Sequence, residues 1–167
     1  MKLITATTIF FMTMSLPKTA TEFAYNVEMT NENVTSQLVY KKSADGRYLS
    51  HHLKYNFTYD EQERLVRKEV LKWNGALGNW ERSYCLDYSY DACGYSVEYV
   101  MWNAEKETYA YAVAKQVYDE SLEGSVTMAS YRKDRSNGEW VVENRTVMLK
   151  PDATLLAAQE ADIINSL

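Results

Sequence analysis

Tyrosine followed by aspartate recurs along this chain, each time where a strand-like run gives way to turn-forming residues. The copies read Tyr59-Asp60-Glu61-Gln62-Glu63-Arg64-Leu65, then Tyr90-Asp91-Ala92-Cys93-Gly94-Tyr95, then Tyr118-Asp119 followed by Gly124. The first two each lead to a Trp-Asn pair, Trp73-Asn74 and Trp102-Asn103. Spacing of about 30 residues is the signature of one supersecondary unit used repeatedly. Here the unit reads as a strand, a turn and a returning strand. That pattern dictates an architecture and leaves the activity open.

From residue 34 onward, runs rich in Tyr, Val, Thr and Trp alternate with turn clusters. The breaks are Asp45-Gly46, Asp60–Glu63, Asn74–Asn79, Asp91–Gly94, Asn103–Glu107, Asp119–Gly124 and Arg135–Gly138. Period two is clear between them. Trp80, Arg82, Tyr84, Leu86, Tyr88 and Tyr90 fall on one face, and Leu53, Tyr55, Phe57, Tyr59 and Tyr95, Val97, Tyr99, Met101 repeat the pattern. Connections this short permit antiparallel hairpins and exclude parallel crossovers, so the expected fold is all-β, an up-and-down meander of about eight strands. Ala110, Ala112 and Ala114 share one face, either to admit a close neighbour or as a solvent face of low β-propensity. Trp140 to Leu149 is apolar on both sides, which implies cover on both faces. Pro151 then opens a helical pattern over Asp152–Asn165, with a stripe of Leu156, Ile163 and Leu167. This segment reads as a short C-terminal helix packed on the sheet, the alternative being a frayed tail.

The N-terminus has a separate character. Met1-Lys2 precedes an uncharged, mostly apolar run from Leu3 to Leu16, then Pro17 and small residues. That is the pattern of a secretory signal peptide over residues 1–20, and the run is too short to span a bilayer as a helix. Cleavage after Ala20 or Ala24 is blurred by Lys18 and Glu22. A buried N-terminal element is the competing reading. The remainder, residues 25–167, is the length of a single β-rich domain. Loss of Lys2 and Lys18 with no acid takes the net charge from −5 to −7. An acidic chain without a basic stripe offers no footprint for nucleic acid, and the mature chain has no segment for membrane insertion. The expected location is the periplasm, the cell surface or the medium. Cys85 and Cys93 then suggest a disulfide. Geometry opposes it, because Cys93 lies in a turn and Cys85 several residues down a strand, roughly 17 Å in five extended steps.

No motif for catalysis stands out. His51 and His52 are neighbours in a strand-like run, so their rings point to opposite faces and cannot share one ion. No nucleophile elbow and no phosphate-cradling glycine loop is present. A glycosidase needs two carboxylates across a cleft, and the sequence nominates no pair, Glu98 and Asp87 being equal candidates. No cofactor or metal is expected, and the chain reads as a non-enzyme. Aromatic content is the remaining clue, with 14 Tyr and four Trp, and Trp73, Trp80, Trp102 and Trp140 all fall beside turns. As ligand-binding residues they would stack on glycan or protein outside the cytoplasm. As structural residues they would be cross-strand pairs that set register, and their equivalent placement in successive hairpins favours this second role. Asn33-Val34-Thr35, Asn56-Phe57-Thr58 and Asn144-Arg145-Thr146 are glycosylation sequons, relevant only in a eukaryotic secretory host. A meander must also protect its edges. Lys41, Lys42 and the charged 132–135 stretch are candidates for that task, and an unprotected edge would pair two copies.

The Tyr59–Leu65 heptad resembles the YDxxGRL core of Rhs-type YD repeats, with Glu63 where those repeats carry glycine. Tyr90–Gly94 restores the glycine but has Tyr95 in place of arginine, and the third copy displaces its glycine to Gly124. The large YD-repeat proteins wind dozens of hairpins into a shell around cargo, a role that three copies do not import. The chain as a whole resembles the secreted bacterial proteins of domain of unknown function 3836. The likeness runs through the apolar N-terminus, Asp45-Gly46-Arg47, the Tyr-Asp turns and the Trp-Asn pairs. Membership implies export from gut-type bacteria and transfers no catalytic residue. The expected role is a non-enzymatic extracytoplasmic binding or surface-interaction protein, with glycan or protein as its partner. The alternatives are a structural protein assembling through sheet edges and, behind it, a glycoside hydrolase.

Overall fold

The computed structural model describes residues 22–150. The signal-peptide reading of residues 1–20 and the helix expected at Asp152–Asn165 lie outside the described residues. Nine strands follow one another in sequence: β1 Phe23–Thr30, β2 Asn33–Lys42, β3 Leu49–Tyr59, β4 Leu65–Asn74, β5 Asn79–Tyr90, β6 Gly94–Asn103, β7 Thr108–Asp119, β8 Ser125–Lys133 and β9 Trp140–Leu149. Sheet order equals sequence order. This is the expected antiparallel meander, with one strand more than the sequence pattern announced. The extra strand is β1, joined to β2 by Asn31 and Glu32, both at positive φ (49° and 68°). Such a two-residue hairpin usually advertises itself with glycine. Glutamate in the second position hides it.

The recurring dipeptides are the punctuation of this sheet. In each Tyr-Asp turn the aspartate Oδ1 accepts backbone N–H groups. Asp60 takes those of Gln62 (3.0 Å) and Arg64 (2.9 Å), and Asp91 takes those of Cys93 (2.8 Å) and Gly94 (2.9 Å). Asp119 takes that of Ser121 at 2.8 Å. The asparagines of the Trp-Asn pairs do the same at alternate turns. Asn74 Oδ1 accepts from Ala76 and Leu77, and Asn103 Oδ1 from Lys106. A short side chain that satisfies turn amides closes the hairpin without help from a core.

Two compact units divide the chain. The first runs through Tyr88 and includes Glu98–Val113. Its buried residues come from both faces of the sheet. Phe57 and Val70 lie on one face, and Cys85, paired with Glu69, lies on the other. The second comprises Ser89–Val97 and the chain from Ala114. There Tyr95 is buried, stacked on Tyr118 with ring centroids 4.5 Å apart and planes 11° from parallel. Gly94 backs directly onto the Tyr118 carbonyl, and the Glu120 N–H donates to Cys93 O at 2.7 Å. Cys85 and Cys93 are both free thiols, the first buried and the second exposed.

Two expectations about the sheet need correction. Strand β9 is exposed along nearly its whole length, with Val147 58% and Leu149 82% accessible, so no described element covers either face. Its double-sided apolar character therefore does not signal a sandwich within residues 22–150. Nor do the charged stretches guard the edges. Lys41 and Lys42 end β2, and Arg132 and Lys133 end β8, each one strand in from the edge strands β1 and β9. The alanine row is the more covered side of β7. Ala110, Ala112 and Ala114 are half-buried, while Tyr111 and Val113 opposite are exposed.

Candidate functional site

The site grows from the β4/β5 hairpin in the first unit. Trp73 and Trp80 are direct cross-strand partners flanking the Asn74–Asn79 turn. Their rings meet edge to face at 5.1 Å, a geometry worth about 0.5–1.5 kcal/mol beyond burial. His51 from β3 adds a third ring, 4.6 Å from Trp73 and 5.4 Å from Trp80. His52 turns instead to Phe23 at 5.4 Å. The two histidines thus have separate aromatic neighbours. Among the described residues no three His, Cys, Asp or Glu side chains gather to hold a metal.

A bulge decides what else joins that face. Register runs Glu69↔Cys85, Val70↔Tyr84, then skips to Leu71↔Arg82. The skipped Ser83 inverts the alternation of β5. Trp80 and Arg82 therefore share a face with Glu69 and Cys85, not with Tyr84 and Leu86 as unbroken alternation requires. Arg82 Nε then donates to Glu69 Oε1 at 3.0 Å. Asn56 Nδ2 donates to the other oxygen at 2.9 Å, and the Tyr109 hydroxyl donates to Oε1 at 2.8 Å. Tyr109 belongs to β7 and Glu69 to β4. In a flat sheet these strands would lie roughly 14 Å apart, so within this unit the strands curl toward the face carrying Glu69. Trp102 on β6 completes the set, 5.0 Å from Tyr109 and capped by the Arg82 guanidinium at 4.9 Å from its ring centre.

Between these groups lies an open groove of about 490 Å³, lined by Leu71, Trp80, Glu81, Arg82, Trp102 and Ala104. That is the size of a small-ligand site. Of the tryptophans singled out by sequence, Trp73, Trp80 and Trp102 occupy this one face, and Trp80 and Trp102 line the groove. Trp140 lies in the second unit, beside its strand partner Lys133, whose Nζ is 5.3 Å from the ring. All four are half-buried. Arg82, Glu69, Tyr109, Leu71 and Ala104 were not legible as site residues. Their convergence depends on the Ser83 bulge and the curl, and neither leaves a residue-type signature.

The ionisable groups beside the groove are strongly satisfied. Burial pushes the Glu69 carboxyl up, but the hydrogen bonds from Asn56, Tyr109 and Arg82 outweigh it and hold the group below the usual carboxylate range. A carboxylate kept ionised is a poor general acid. Burial and the bond to Glu69 raise the Tyr109 hydroxyl. Asp87 grips Arg67 through two bonds, 2.6 Å and 2.8 Å. Cys85 beneath them is pushed up to about 12, chiefly by burial and then by Asp87, which leaves it a thiol rather than a nucleophilic thiolate. The arrangement is a rigid polar floor beside an aromatic groove.

A family of unknown function, DUF3836, matches residues 1–120 of this chain. No curated protein matches. Among solved structures, a protein of unknown function from Bacteroides fragilis NCTC 9343 is similar at 22% identity and a TM-score of 0.64, over 78% of this chain and 94% of that one. A DUF3836 family protein from Parabacteroides distasonis ATCC 8503 aligns at 17% identity and a TM-score of 0.49, over 80% and 95% of the two chains. Another, from Bacteroides vulgatus ATCC 8482, aligns at 21% identity and 0.40, over 76% and 98%. The first of these likenesses is one of fold.

Proposed function

The chain belongs to DUF3836, a family of unknown function, and we propose that this member is an exported, non-enzymatic protein that binds glycan along the Trp80–Trp102 groove. One observation carries the reading. Two half-buried indoles line a single groove together with the charged groups of Glu81 and Arg82. Indole faces offer flat apolar area to the C–H faces of a sugar ring, and the charged groups offer hydrogen bonds to its hydroxyls. The satisfied state of Glu69 and Asp87 favours binding over hydrolysis. Export rests on the signal-peptide pattern of residues 1–20, and points to the periplasm, cell surface or medium. The YD-like turns serve this role as hairpin closures, holding the strands that carry the tryptophans in register.

Affinity electrophoresis through gels containing different polysaccharides tests the proposal. Retardation by at least one glycan is expected, and Trp102→Ala is expected to abolish it while circular dichroism shows the variant still folded, at a lower melting temperature. Retention of binding by a folded Trp102→Ala variant would remove the groove from the proposal. Strand β9, covered by no described element, supports a second role, self-assembly through this edge.

A further inference from the structure

Arg82 differs from its neighbour Arg67 in what it leaves available. Arg67 gives Nε and Nη2 to the two oxygens of Asp87. Arg82 gives only Nε, to Glu69. Its terminal nitrogens carry no hydrogen bond to any described residue, and 54% of its side chain is accessible. Its position is nonetheless fixed from two sides, by Glu69 and by the Trp102 ring beneath it. Glu69 is itself held by Asn56 and Tyr109. A guanidinium anchored in this way loses little freedom when it takes up a planar anion, and its fork matches a carboxylate in two parallel bonds.

From this geometry we infer that the groove selects an acidic sugar, its carboxylate received by the terminal nitrogens of Arg82 and its ring laid against Trp80, beside the Trp102 indole that Arg82 caps. The inference rests on the glycan-binding reading above and adds the chemical class of the ligand. A uronic or sialic acid unit supplies both required parts, an apolar ring face and a carboxylate a few ångströms from it. The overall negative charge of the chain opposes such a ligand only at long range and is screened at physiological salt. Glu81 at the groove wall disfavours a second anion close by, so the site suits an isolated carboxylate better than a densely charged polymer.

The test uses titration calorimetry of the chain lacking residues 1–20, with a single-sugar galacturonic acid glycoside and its methyl ester as paired probes. The two share a sugar skeleton and differ in the carboxylate. The acid form is expected to bind at least ten-fold more tightly, with the preference narrowing as salt rises. Arg82→Gln is expected to erase the preference and Arg82→Lys to recover part of it, since lysine restores charge without the fork. Sialyllactose against lactose distinguishes the two acidic sugars, and binding by either acid supports the inference. Equal binding of acid and ester overturns the acidic-sugar inference and leaves glycan binding standing. So does binding confined to neutral polysaccharides. Absence of binding to every acidic and neutral glycan overturns both. A glutamate peptide that binds as well as the galacturonic acid glycoside overturns the role of the sugar ring. The acid–ester comparison is made on the wild-type chain, so a poorly folded Arg82 variant cannot obscure it.

Discussion

Glu63 occupies the one position in the β3/β4 turn where a side chain is a burden. Its φ is +59°, and its N–H closes the turn on the Asp60 carbonyl at 3.0 Å. An L-residue in this region is strained by roughly 1–2 kcal/mol relative to glycine. The Tyr-Asp motif had marked this position as glycine's place, so the backbone conformation was readable from the sequence even though the residue was not glycine. Glu63→Gly should therefore stabilise the protein by about 0.5–1 kcal/mol, part of the relief being offset by the flexibility glycine brings to the unfolded chain. Urea unfolding would show it as a higher midpoint with an unchanged slope. Gly94 behaves in the opposite sense. A Cβ there would collide with the Tyr118 carbonyl, a backbone atom that cannot rotate away. Gly94→Ala should cost about 2–3 kcal/mol, in the range of overpacking a tight site. A midpoint equal to wild type would show that the two turns can separate without loss. No sequence pattern links Gly94 to Tyr118, because the contact joins two different hairpins.

The β4/β5 hairpin shows where period-two reasoning holds and where it breaks. Tyr84 and Leu86 share a face as alternation requires, since Val70 and Lys68 lie opposite them in register. Beyond Ser83 the faces exchange, and Arg82 and Trp80 join the Glu69 face because of that exchange. A serine in a strand carries no mark of a bulge. The tryptophans were legible as hairpin elements, and Trp73 with Trp80 is indeed a cross-strand pair. Their shared groove with Arg82 was not legible. The cluster also makes stability depend on acidity. Glu69 has its folded-state pKa below the unfolded value of about 4.3, so the folded state holds its proton less tightly. Its contribution is complete above the unfolded value and disappears as pH falls through the folded one. Glu69→Gln should lower stability by about 1 kcal/mol at neutral pH, a figure reduced because the site is partly open to solvent. The gap between variant and wild type should begin to narrow as pH falls below the unfolded value of about 4.3 and go on narrowing at lower pH. Chemical unfolding at pH 7, 5 and 3.5 would reveal this, and a constant gap would mean the carboxylate charge is not what the hydrogen bonds stabilise.

Antiparallel order, all-β class and turn positions followed from short connections and turn chemistry, which are local properties. Strand β1 and the fate of the edges did not follow, because both depend on what lies beside a strand. Lysines near an end of the sequence pattern look like edge protection until strand order places them one position inward. That leaves β9 as an edge with Val141, Val142, Val147, Met148 and Leu149 exposed, interrupted by a register shift opposite Ser130/Tyr131. Exposed apolar edges pair with other chains unless a charge or an irregularity intervenes. The shift is one such device, and the Arg132–Glu143 ion pair at 2.6 Å lies beside it. The segment from Arg145 to Leu149 has no such break and is where association through this edge would begin. The second proposed role therefore predicts a concentration-dependent dimer of the chain lacking residues 1–20. Val147→Lys should weaken that dimer at least ten-fold, while Val27→Lys on β1 should leave it unchanged. Multi-angle light scattering over a hundred-fold range of concentration measures both. A wild-type chain that stays monomeric across that range would exclude edge pairing and leave the aromatic groove as the proposed working surface of the molecule.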